Sequence, residues 1–279
     1  KMILKSFSKI NLSLSVNKRL KKIGLHDIQS YFCLINLYDQ IKIKKIKGQK
    51  DKVKFQGKFS KLIKKKNSIT NILAILREKN LISNYYSVLV NKKIPVFAGL
   101  GGGTSNAVYL VKYLTRGKIS KDLLRILDKK IGSDLKLFFY EQGFLESLKK
   151  INNFRRKYKL YFLLIYPNIK CSTHYIYSKV KKNSLKSQFK FNNINSKSRF
   201  IEFLINQNND LQLVVEKKYP AIKTLIEEIG KKEGCYFSRM TGSGSACYGV
   251  FESEKVAKAA LNGIKLKYPK YWSSVAKTI

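Results

Sequence analysis

The chain has 279 residues, enough for one large domain or two closely packed lobes with a substantial core, so disulfides or a structural metal are not needed to hold it together. Four widely separated cysteines, Cys33, Cys171, Cys235 and Cys247, form no C-x-x-C pair, which argues against a zinc site or disulfide framework and predicts a reducing, cytoplasmic setting. A formal net charge of +40 alone suggests nucleic acid or anionic membranes, yet the lysines are spread through every segment, without a zinc-finger, RNP-type or basic-heptad pattern and without a run of about 18 apolar residues. Asn, Ile, Tyr and Phe, which share A/T-rich codons with Lys, are also abundant. The charge is therefore read as a base bias filling solvated positions, with nonspecific nucleic-acid affinity expected only at low salt.

Ile10, Leu12, Leu14 and Val16 alternate strictly, the period of a strand with one buried face, so Lys9, Asn11 and Ser13 share the other. Lys18 to Lys22 with Gly24 reads as a loop that also holds His26, and a strand follows over Ile28 to Ile43. Ile69, Ile72, Leu73 and Leu76 predict a helix over 68–79, and Val88 to Val96 a strand that runs into a glycine loop.

That loop, Pro95-Val-Phe-Ala-Gly-Leu-Gly-Gly-Gly-Thr-Ser-Asn-Ala107, has four glycines in five positions and leads into the helical set Ala107, Leu110, Val111 and Leu114, with Gly117 as a stop. Amides at a helix start have no intrahelical acceptor, and glycines let an anion approach them, so the segment predicts phosphate binding. No lysine follows Gly103, which excludes a P-loop, and Thr104 stands where Gly-x-Gly-x-x-Gly needs its last glycine.

A helix runs from near Ser120 through Leu123, Leu124 and Leu127 to Ile131, closed by Gly132, and Asp134 emerges just beyond it. The polar stretch 147–157 reads as a join between lobes. A strand over Leu160 to Tyr166 breaks at Pro167; a helical segment and a Lys- and Asn-rich surface loop over 181–199 follow. Ala221, Leu225 and Ile229 mark another helix. A second glycine loop, Gly242-Ser243-Gly244, precedes an apolar strand and reads either as a hairpin turn or as a cover over a ligand.

In order and spacing, these motifs resemble the GHMP small-molecule kinase superfamily. The matching segments are Ser8-Lys9-Ile10-Asn11-Leu12, Gly24-Leu25-His26-Asp27, Pro95 to Ala107, Ile131-Gly132-Ser133-Asp134, Asn209-Asp210-Leu211 with Tyr219-Pro220-Ala221-Ile222, and Met240-Thr-Gly-Ser-Gly-Ser245. The resemblance implies an α+β, two-lobed fold, with a ribosomal-protein-S5-like N-terminal lobe over 1–152 and a ferredoxin-like C-terminal lobe over 153–279. It also implies ATP-dependent phosphorylation, with Mg²⁺, of a tertiary hydroxyl on a cytidine diphosphate sugar alcohol in non-mevalonate isoprenoid synthesis.

A tertiary alcohol is a weak nucleophile and needs a base for its proton and a cation for the charge that develops. By resemblance Asp134 is the base, Lys9 the cation, and Asn11 orients the hydroxyl or the aspartate. Pro95, Gly99, Leu100, Gly101, Gly102, Gly103, Thr104 and Ser105 form the nucleotide cradle, with Ser105 also at magnesium and Asn71 at adenosine. His26 contacts cytosine and Tyr177 stacks on it, while Thr173, Gly242, Ser243 and Gly244 line the acceptor. Leu25 and Lys136 depart from the family, which has an aromatic and a proline there; Glu146 to Lys150 replaces a glycine-rich turn. The resemblance implies a monomer or weak homodimer with no membrane and no specific nucleic-acid partner. The competing readings are a homoserine- or mevalonate-type kinase and a catalytically silent nucleic-acid binder on the same scaffold.

Overall fold

A computed structural model describes residues 2–20, 25–132, 134–180, 184–187 and 194–279. The chain gathers into two compact units, neither contiguous in sequence: Lys1–Lys9, Leu37–Val96 and Gly101–Phe139 form the first, Ile10–Asn36, Phe97–Leu100 and Tyr140–Ile279 the second. Two strands, β1 (Met2–Asn11) and β3 (Leu25–Ile46), contribute residues to both.

In the first unit the distal half of β3 pairs antiparallel with β5 (Tyr85–Asn91), from Gln40 opposite Asn91 to Ile46 opposite Tyr85, and β5 pairs parallel with β4 (Lys52–Gln56). Helix α1 (Ser68–Glu78) begins at an Asn67 capping box and buries Ile69, Ile72, Leu73 and Leu76, as their spacing predicts. It packs against α2 (Gly102–Leu114) and α3 (Lys121–Ile131), the latter capped by the Ser120 hydroxyl. Strand β5 ends at Asn91, earlier than the expected Val96, because the amides of Lys93 and Ile94 donate to Asp39 Oδ1 at 2.7 and 2.9 Å instead of to a neighbouring strand.

In the second unit β2 (Ser15–Leu20) pairs antiparallel with the start of β3, and β3 pairs with β6 (Gln142–Ser147). A separate antiparallel sheet has the order β11 (Trp272–Lys277), β8 (Tyr161–Tyr166), β10 (Cys247–Phe251), β9 (Cys235–Met240). Central strand β8 reads Tyr-Phe-Leu-Leu-Ile-Tyr because it is buried along nearly its whole length. Helices α7 (Pro220–Gly230) and α8 (Glu254–Lys267) cover this sheet, α6 (Asp210–Lys218) packs on α7, and α4 (Thr173–Ser178) and α5 (Lys197–Ile205) complete the unit.

Several expectations change. Lys9, Asn11 and Ser13 lie opposite the apolar set but are only 5%, 3% and 4% exposed, so the end of β1 and the residues just after it are buried on both faces. Both flanks of the loop expected around His26 are strand, Arg19 on β2 facing His26 on β3, while residues 21–24, Gly24 among them, lie outside the described residues. The stretch 147–157 holds the two-residue turn and the second strand of a hairpin, since β6 pairs antiparallel with β7 (Lys150–Asn153). Within 181–199, Ser184 donates its amide to Val16 O at 2.8 Å and Ser187 to Gln29 Oε1 at 2.8 Å, so the described part is docked on strands, and α5 begins at Lys197. Among the described residues no helix is long and apolar enough to cross a membrane.

Candidate active site

The first unit builds an anion cradle at the start of α2. Gly101, the residue before the helix, takes φ +68°, a left-handed conformation that suits glycine, and no side chain caps the first turn. The amides of Gly102, Gly103 and Thr104 thus keep their donors for a ligand. A Cβ on Gly101 would stand 2.6 Å from Phe138 Cζ and 3.3 Å from Lys9 Cε. Lys9, at the end of β1's share of this unit, is therefore against the cradle.

Burial pulls the Lys9 pKa below its ordinary value, and the charge of Asp134 opposes that shift. Asp134 is half-buried directly before the 3-10 turn Leu135–Phe139; its Oδ1 and Thr104 Oγ1 are 3.3 and 3.6 Å from where a Gly132 Cβ would sit. The ammonium, the carboxylate and the helix start expected to act together thus occur in one unit. No hydrogen bond or ion pair joins the Asp134 carboxylate to another described residue.

Ser105, expected at magnesium, is engaged within the protein. Its side chain is fully buried, and the hydroxyl donates to Phe7 O at 2.5 Å with Ser6 Oγ at 2.7 Å, tying α2 to β1. Among the described residues, hard oxygens near the cradle include those of Thr104, Asp134 and Ser68. Pro95 is buried ahead of the cradle, and Asn71 is half-buried on α1, the helix packed against α2. A groove of about 780 Å³ in the same unit, lined by residues including Lys50, Asp51, Arg77 and Tyr85, contains none of the expected site residues.

The second unit joins the other expected residues into a series. Asn11 donates its amide to Thr241 Oγ1 at 3.0 Å and its side-chain nitrogen to Ser30 Oγ at 2.8 Å, and a would-be Gly242 Cβ stands 3.3 Å from its Oδ1. The loop that holds Gly242, Ser243 and Gly244 joins β9 to β10, so it is a hairpin connection, and it also packs on the first glycine segment: Ala246 donates to Ala98 O at 3.1 Å, and a Cβ on Gly99 would be 3.2 Å from Gly244 N. Leu100 is buried beside it.

Ser243 Oγ and Thr173 Oγ1 are 2.9 Å apart, and Tyr177, one turn along α4 from Thr173, stacks toward His26 at 27° with ring centroids 6.2 Å apart. His26 Nδ1 is 3.1 Å from Asn17 O. A carbonyl can only accept, so Nδ1 carries the proton and Nε2 of the neutral ring is left as an acceptor.

Two contributors escaped the sequence reading. Lys92, buried and paired with Asp39, puts Nζ 3.3 Å from a would-be Gly102 Cβ and adds positive charge under the cradle; an aspartate in the distal half of β3, among apolar residues and lysines, was its signal. Asn209 shapes the second glycine loop by donating to Met240 O at 2.8 Å and Gly242 O at 2.9 Å.

A family profile described as "GHMP kinases C terminal" matches residues 197–270. A 4-diphosphocytidyl-2-C-methyl-D-erythritol kinase of Pelagibacter ubique is 38% identical over 99% of this chain and 98% of its own length. The kinase of the same name from Ureaplasma parvum is 30% identical over 88% and 94%. A crystal structure of 4-(cytidine 5'-diphospho)-2C-methyl-D-erythritol kinase superposes with a TM-score of 0.75 over 99% of each chain at 20% identity, a likeness of fold.

Proposed function

The chain belongs to the 4-diphosphocytidyl-2-C-methyl-D-erythritol kinase family and has the GHMP kinase fold, and we propose that it transfers the γ-phosphoryl group of ATP to the 2-hydroxyl of that cytidine diphosphate alcohol. The observation that carries the reading is the buried Lys9 ammonium, set against the glycine start of α2 and within the field of Asp134.

In the proposed reaction Asp134 accepts the hydroxyl proton, the freed oxygen bonds to the γ-phosphorus, and the β–γ bridging oxygen departs with ADP. Lys9 stabilises the charge that grows on the attacking oxygen. The amides of Gly102, Gly103 and Thr104 hold phosphate oxygens, and Lys92 strengthens the local positive potential. Mg²⁺ suits the hard oxygens of Thr104 and Asp134, and when bound it neutralises β- and γ-phosphate charge.

In the second unit His26 Nε2 accepts from the cytosine amino group, Tyr177 offers a stacking face, and Thr173 with Ser243 holds polar groups of the acceptor. This acceptor assignment draws support from the relatives' names, and from the tautomer that Asn17 imposes on His26.

The test is a coupled ADP-release assay with the cytidine diphosphate alcohol, homoserine and mevalonate. Turnover confined to the first is expected; turnover only with another acceptor overturns the substrate assignment. Asp134→Asn should lower kcat by roughly 10²-fold with ATP binding retained, and a near-normal kcat removes Asp134 as the base.

A further inference from the structure

Lys112 sits in the last turn of α2, far along the helix from the cradle, yet its half-buried ammonium donates to Phe138 O at 2.8 Å. It also lies over the rings of Tyr109 and Phe139, at 5.2 and 4.6 Å from their centroids. Burial lowers its pKa, and no carboxylate among the described residues pairs with it. A charged group held in such surroundings without a counter-ion costs stability, so its placement needs a return elsewhere.

Phe138 supplies the link. Its ring tip lies against Gly101, the left-handed residue that starts the cradle, while its carbonyl takes the Lys112 bond. Phe138 belongs to the short 3-10 turn that follows Asp134 directly. Helical side chains point back toward their N-terminus, so Lys112 reaches along α2 toward the turn. At the opposite end of the same turn Lys136 pairs with Asp128 of α3 at 3.0 Å. One turn, bearing Asp134 at its head, is thus tied by one lysine to the phosphate-binding helix and by another to α3.

We propose that Lys112 is a positioning residue for phosphoryl transfer: its bond to Phe138 O fixes the Asp134 turn against α2, so that carboxylate and cradle keep a set distance. Lys136 with Asp128 steadies the other side. The inference rests on the reading of Asp134 as the base. Lys112 touches neither the acceptor nor ATP and acts through Asp134, since small displacements of a reacting group lower the rate steeply.

The test is a double-mutant cycle on kcat from single-turnover phosphorylation of the cytidine diphosphate alcohol. Lys112→Met, close in length and without the donor, is expected to lower kcat about tenfold, with little change in the KM for ATP. In an Asp134→Asn background the same change should have almost no further effect, because the group it positions is already lost. Lys112→Arg, which keeps a donor, should recover most of the rate. If Lys112→Met does not fold, Lys112→Gln, polar but too short for the Phe138 carbonyl, takes its place with the same expected loss.

A kcat near normal in the neutral variant overturns the proposal. So does a loss of equal size in both backgrounds, which marks a general structural role. Failure of the underlying reading has its own signature, a near-normal kcat in Asp134→Asn alone.

Discussion

Gly103→Ala separates what the folded chain requires of its glycine loop from what a ligand requires. A side chain at Gly101 meets Phe138 at 2.6 Å and a positive φ, and one at Gly102 meets Ile94 Cγ2 at 2.9 Å. At Gly103 the nearest heavy atom, Ser68 Oγ, is 3.9 Å away, the residue is exposed, and its backbone is helical. The unliganded fold therefore has no steric reason for glycine there. Alanine should stabilise it by about 0.5 kcal/mol, the lower part of the glycine-to-alanine difference in helices, which is roughly 1–2 °C in Tm for a chain of this size. A phosphate oxygen bonded to the first-turn amides must come within about 3 Å of nitrogen, and the new methyl occupies part of that approach. Loss of one charge-assisted bond costs about 1.5–3 kcal/mol, or roughly 10- to 150-fold in Kd. Thermal unfolding without ligand and calorimetric titration with a non-hydrolysable ATP analogue read the two effects apart. Unchanged nucleotide affinity would refute the cradle, and a lower Tm would refute the steric argument.

The lowered pKa of Lys9 places its loss of charge below the ordinary value of 10.5, so kcat should fall with rising pH along a limb that Lys9→Arg shifts upward or removes; a limb unmoved by that change belongs to another group. His26→Ala should raise the acceptor KM severalfold with the KM for ATP little changed, and equal changes in both would deny the cytosine contact. Asp39→Ala leaves the Lys92 ammonium buried without its carboxylate and should cost about 3–5 kcal/mol in denaturant unfolding; a loss below 1 kcal/mol would mean that water or another group compensates the charge.

The parts of the fold legible in the sequence are those where local and tertiary demands agree. Asn67 and Ser120 cap helices whose apolar spacing matches the buried face, and Gly101 stands where the backbone turns left-handed. Helix α8 was silent because its buried set is Ala257, Ala260 and Ile264, too small for a strong period. Strands β4 and β7, Lys-Val-Lys-Phe-Gln and Lys-Ile-Asn-Asn, are partly exposed and polar, so they lack the apolar run that marks a central strand. In the candidate site, the glycine loop stood out on local grounds. Lys9 and Asp134 did not, since their relation depends on where β1 and the turn after α3 meet, and only family resemblance joined them. Lys112 was one cation among 57 Lys and Arg, and a partner carbonyl leaves no trace in sequence.

The scarcity of carboxylates makes their placement informative. Of only 17 acidic residues, several hold main-chain amides that burial would otherwise leave without acceptors. Asp39 takes Lys93 and Ile94, Asp51 takes Tyr86, Asp27 takes Leu148 and Asp210 takes Val16. Each of these is a structural acceptor, its oxygens shared between main-chain amides and a side chain: Lys92, Arg77, Lys186 and Ser184 in turn. Asp134 differs: it is half-buried and close enough to Lys9 to influence its ionisation, yet no described donor occupies its oxygens. Partial desolvation of such a carboxylate costs free energy that no local hydrogen bond offsets. Among these aspartates, it is the one whose surroundings leave room for a proton supplied by something other than the protein.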